Sequence, residues 1–205
     1  RQNGITTFDD LIPSRFDSVL PHRQSHIAIV PAVGYTLPEL ELKSILDSSA
    51  YILKIKIGQP GDENEMLELD KARLSQVHEA ARNYETPMTD SGHILYYLDA
   101  NGRYGQKDSL SRLLDHAEKA GFLDRIILIE EPYHDPYTND VLGLPARFAA
   151  DESLHTTRDV TTRIEQGYQA MTIKPAGKTL SLAFEMIEAA AEADVHSLVA
   201  DNACI

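Results

Sequence analysis

The sequence predicts an α/β chain, a (β/α)8 barrel of the TIM type present as about seven strands without its last unit. Three observations predict it. Short runs rich in β-branched residues recur along the chain, each of strand length and bounded by polar or turn residues. Longer amphipathic stretches with helical spacing separate them. Strand and helix therefore alternate, which calls for parallel strands with helices outside the sheet. A doubly wound open sheet is the structural alternative, but no GxGxxG follows the first strand.

Residues 1–26 are mixed and irregular, with Pro13 and Pro21, and read as a linker or crossing segment. Strands are expected at Ile27–Val30, Tyr51–Ile57, Ile94–Leu98, Arg125–Ile129, Arg147–Ala150, Ala170–Ile173 and Ser197–Ala200. Helices are expected over 63–83, 109–120 and 179–193. Met66, Leu69, Leu74 and Val77 share one face of the first; Leu110, Leu113, Leu114 and Ala117 of the second; Leu182, Met186, Ile187 and Ala190 of the third. Asp62, Asp108 and Thr156 precede helical runs as N-caps, and Gly121 follows one at a C′-like position.

Composition narrows the function. Of 205 residues, 42% are hydrophobic and 25% charged, an ordinary globular balance. A net charge of −13 repels nucleic acid and anionic membrane, so neither is expected as a partner. The single cysteine, Cys204, excludes an internal disulfide, and a reducing, cytoplasmic location is the simplest expectation. The chain does not begin with Met and ends just after an apolar run, so sequence is expected to be missing at both ends.

The charges fall where a barrel keeps its chemistry. Catalytic groups sit at the C-terminal ends of barrel strands. Lys54 and Lys56, two apart on one strand, point the same way, toward the interior or its mouth. Asp99, Glu130, Asp151, Lys174 and Asp201 close five further strands. Three carboxylates at one mouth repel each other unless a cation lies between them. Oxygen ligands with open positions suit Mg²⁺, with Mn²⁺ as the alternative. Flanking lysines can do acid and base work.

The ordered set Lys-x-Lys, Asp-Ala-Asn-Gly, Glu-Glu-Pro, Ala-Asp-Glu-Ser and Ile-Lys-Pro resembles the enolase superfamily. Within its mandelate racemase and muconate lactonizing enzyme group, it looks most like the muconate-lactonizing and dipeptide-epimerase branch. The resemblance covers residues 27–205 and implies an enolase-type catalytic barrel, incomplete at its C-terminus, with residues 1–26 leading from an N-terminal capping domain. It implies that Asp99, Glu130 and Asp151 bind the metal, with Asn101 and Glu152 supporting them. Lys56 and Lys174 would be the acid/base pair, and Lys54 and Asp201 would hold the substrate.

The chemistry implied is abstraction of the proton α to the carboxylate of a small-molecule substrate, through an enediolate stabilised by Mg²⁺. An isomerase is expected, a racemase or epimerase of an amino-acid or dipeptide-like acid, as a homo-oligomer. A lyase or cycloisomerase of o-succinylbenzoate synthase, muconate cycloisomerase or sugar-acid dehydratase type is the rival, and a non-catalytic binding barrel the reading of another class. The dipeptide-epimerase pattern has a second Asp on the seventh strand, where this chain has Ala203.

Overall fold

The computed structural model describes residues 6–7, 9–20 and 25–199. Within them lie seven parallel strands in one sheet, in the order β1 to β7: Ala32–Val33, Ile52–Lys56, Leu95–Asp99, Ile126–Glu130, Phe148–Ala150, Ala170–Ile173 and His196–Val199. Five α-helices lie between them, one in every gap except that from β4 to β5: α1 (Glu39–Asp47), α2 (Glu63–Ala81), α3 (Lys107–Lys119), α4 (Thr157–Glu165) and α5 (Leu180–Glu192). Every neighbouring pair is parallel, and β1 and β7 are not hydrogen-bonded to each other. This is the strand–helix alternation of a (β/α) barrel, left open between its first and last described strands.

Each element has a local cause. Asp62 accepts from the backbone N–H groups of Asn64 and Glu65 at 2.9 Å, and Glu65 returns a bond to the Asp62 N–H, a reciprocal cap that starts α2. Thr156 and Asp159 make the same box at the start of α4. Gly121, at φ +76°, takes the left-handed turn after α3. The buried face of α3 is Leu110, Leu113, Leu114 and Ala117, and it packs on α2 over a core continuous with the strands.

Three expectations change. The first strand is Ala32–Val33, downstream of Ile27–Val30. Pairing with β2 begins where the Lys54 N–H donates to the Pro31 carbonyl at 2.9 Å. Ile27 and Ile29 stay exposed, because β-branched residues make a strand only where a partner is in register. Asp108 is not an N-cap: Gln106 holds that position, and Asp108 lies in the first turn, where its charge still favours the helix dipole. Leu69 is 45% exposed, and Leu67 and Asp70 take the inward face of α2 instead. Within residues 9–20, Phe16 is buried and packs on Phe184 of α5 at 5.4 Å between ring centroids.

Candidate active site

Parallel strands place their carboxyl ends at one end of the sheet, so residues that close them converge. The register puts Lys56 beside Asp99 and Asp99 beside Glu130. Asp151 directly follows β5, and Lys174 directly follows β6. Side-chain contacts then run across the mouth. The Lys56 ammonium lies 2.6 Å from Asp99 Oδ2 and 2.6 Å from Asn101 Oδ1. Lys54 lies 2.9 Å from the same Asp99 oxygen and also binds Glu130 Oε2. The Asp151 carboxylate adjoins Glu130, and Lys174 binds Asp151 Oδ2. Asn101 Nδ2 donates to Glu152 Oε1 at 3.0 Å, joining the loops after β3 and β5. Eight of the nine expected site residues thus form one connected set; Asp201 lies outside the described residues, as does Cys204.

The electrostatics follow from burial. Asp99, Glu130 and Asp151 are almost wholly enclosed. Burial pushes Asp99 up, but hydrogen bonds and charge from Lys56 and Lys54 outweigh it and hold this carboxyl below its usual range. Glu130 moves the other way: burial and the charge of Asp99 raise it against the pull of Lys54. Burial works against the charged form of Lys54, yet Glu130 and Asp99 leave it raised. Lys174 is raised in the same way, with Asp151 overcoming burial.

Among the described residues, no three His, Cys, Asp or Glu side chains are gathered closely enough to hold a metal as they stand. Lysine ammonium groups bridge the carboxylates instead. The donor set nevertheless fits a hard divalent cation. All three candidate ligands offer oxygen only, and Glu130 Oε1 is buried with no hydrogen-bond partner. A buried carboxylate oxygen left without a donor is costly, and a cation would satisfy it.

Some supporting residues carry no sequence motif. Asp70, buried on α2, accepts from the Gly58 N–H and the Tyr104 hydroxyl, both at 2.6 Å, and so fixes the turn two residues beyond Lys56. Tyr97 lies under Lys54, its ring centroid 4.9 Å from the ammonium. Glu131 is buried behind Glu130 with φ +38°. No sequence signal marks it: beside Glu130 it reads as a solvated strand end. Two histidines make structural hydrogen bonds. His78 Nδ1 lies 2.9 Å from the Tyr96 hydroxyl, and His116 Nε2 lies 2.8 Å from Ser75 Oγ.

Comparison with solved structures bears on the fold. A mandelate racemase/muconate lactonizing enzyme from Roseiflexus sp. matches with a TM-score of 0.69 at 22% identity, over 83% of this chain and 47% of that one. The chain has the barrel fold of the mandelate racemase and muconate lactonizing enzymes. The L-Ala-D/L-Glu epimerase from Bacillus subtilis matches with a TM-score of 0.63 at 20% identity, over 83% and 45%. A mandelate racemase/muconate lactonizing protein from Paracoccus denitrificans, complexed with magnesium, matches with a TM-score of 0.64 at 15% identity, over 87% and 48%. The chain spans about half the length of these structures. No family model and no curated protein sequence matches it. Among the described residues, no helix is long and apolar enough to cross a membrane.

Proposed function

We propose that this barrel belongs to an enolase-superfamily enzyme that removes the proton α to a substrate carboxylate and returns it to the opposite face, a racemase or epimerase of an amino-acid or dipeptide-like acid. One observation carries the reading. Lys56 and Lys174 close β2 and β6, four places apart in the strand order, with Asp99, Glu130 and Asp151 on the strand ends between them. In an eight-stranded ring, four places is the opposite side.

The chemistry is limited by charge. A proton next to a carboxylate is weakly acidic, and its removal leaves an enediolate with two negative oxygens. Asp99, Glu130 and Asp151 would hold Mg²⁺, which supplies positive charge where those oxygens develop it. The chain's own residues do the rest. One lysine, as the free amine, accepts the α-proton and becomes an ammonium. The other, already an ammonium, delivers a proton to the far face and becomes the amine, so the centre inverts. Each lysine takes either part, according to which face carries the proton; Lys174 binds Asp151 Oδ2. Lys54 adds a fixed positive charge beside Asp99 and Glu130.

The test is α-deuterium incorporation in deuterated water, read by mass spectrometry over a panel of dipeptides and N-acylamino acids, with Mg²⁺ and with chelator. Exchange that needs Mg²⁺ and disappears in Asp99→Asn is expected. Exchange undiminished by chelator would overturn the reading.

A further inference from the structure

Glu131 touches the ends of all three strands that carry the candidate metal carboxylates. It follows Glu130 on β4 directly. Its carbonyl accepts from the Gly102 N–H at 2.6 Å, in the loop that follows Asp99. Its own N–H donates to the Ala149 carbonyl of β5 at 2.8 Å. Its carboxylate Oε2 accepts from the Asp151 N–H at 2.6 Å and from Ser153 Oγ at 3.1 Å. The residue is 4% exposed and sits at φ +38°, a conformation that side chains larger than glycine rarely adopt. A backbone held there needs surroundings that over-determine it.

The surroundings are present. Ser153 Oγ also accepts from Arg163 Nε at 3.2 Å. Arg163 is wholly buried, binds the Pro136 carbonyl and Gln166, and lies 4.7 Å from the ring centroid of Tyr137. Ser153 Oγ thus links the Glu131 side chain to a buried guanidinium.

We propose that Glu131 is a positioning residue, which sets the spacing of Asp99, Glu130 and Asp151 by tying three strand ends together, and that Ser153 and Arg163 hold it in place. The inference rests on the metal reading above for its consequence and on hydrogen bonds alone for its mechanism. Loss of a residue that orients metal ligands typically costs about 10–100-fold in affinity.

The experiment compares wild type, E131A and E131Q by Mn²⁺ titration followed by electron paramagnetic resonance, and by hydrogen exchange of the Asp151 and Gly102 amides without metal. E131Q keeps an acceptor oxygen of the same reach and guards against a variant that fails to fold. Expected is a loss of about 10–100-fold in Mn²⁺ affinity for E131A, with E131Q close to wild type. Equal affinity in E131A and wild type would overturn the proposal, as would E131Q binding as weakly as E131A. If wild type takes up no Mn²⁺, the metal reading falls, and the amides still decide the role of Glu131. Fast Asp151 exchange in E131A with slow exchange in E131Q supports it; identical exchange in all three overturns it.

Discussion

Lys54 binds two carboxylates from two different strands, Asp99 at 2.9 Å and Glu130 beside it. Removing that ammonium leaves both buried charges under-compensated. Lys54→Met should cost about 3 kcal/mol in metal-free buffer, the low end for breaking a buried pair, because the lysine side chain is 25% exposed. Mg²⁺ should then raise the melting temperature more for the variant than for wild type. Thermal melts with and without Mg²⁺ check this; equal melting temperatures in chelator would refute it.

The turn after β2 is sterically fixed. Gly58 has φ +85°, and a Cβ there would sit 2.5 Å from Arg103 Cβ and 3.0 Å from the Ala100 carbonyl oxygen. Gly58→Ala should destabilise by about 2–4 kcal/mol, from left-handed strain plus overpacking. Urea unfolding should show a lower midpoint at unchanged slope.

His78 gives the fold an acid limb. Burial, then the charge of Arg125, lowers its pKa below the usual histidine value. A lowered histidine is protonated more readily in the unfolded chain. Its contribution is therefore whole above the unfolded pKa, about 6.5, and is lost as pH falls below it. The melting temperature should drop between pH 7 and pH 5, and His78→Gln should flatten that drop. A variant with the same slope as wild type would show that other groups set it.

If two lysines act on opposite faces, single variants should separate them. Lys56→Ala should stop α-deuterium exchange from one enantiomer and Lys174→Ala from the other, each by about 10²–10⁴-fold. Either variant silencing both enantiomers equally, with Mn²⁺ still bound, would move the one-base lyase or cycloisomerase ahead.

Much of this was legible in the sequence because two periodicities carry it. Six of the seven strands lie within about two residues of the apolar runs that predict them. The residues closing those strands converge because parallel strands leave them no other place. What the sequence withheld depends on partners distant along the chain. Ile27–Val30 has strand composition but no register partner among the described residues. Helix α1 follows Pro38 without a side-chain cap, so only the proline and the acidic first turn of Glu39 and Glu41 mark its start. Glu131 looks like an ordinary solvated neighbour of Glu130 until Gly102, Asp151 and Ser153 are placed around it. Asp70 and Tyr104 are 34 residues apart and meet only in the fold.

The mouth holds three ammonium groups, Lys54, Lys56 and Lys174, against three carboxylates, Asp99, Glu130 and Asp151. Each of the three acidic groups already has an ammonium partner. Without the lysines, the acidic strand ends would push apart until an ion arrived, and assembly would wait on ion supply. With them, the scaffold can close first and be loaded afterwards. On the proposed metal reading, ion concentration would govern how many molecules work rather than how many fold, and starvation for metal would leave a reservoir of intact, idle protein instead of debris for proteases.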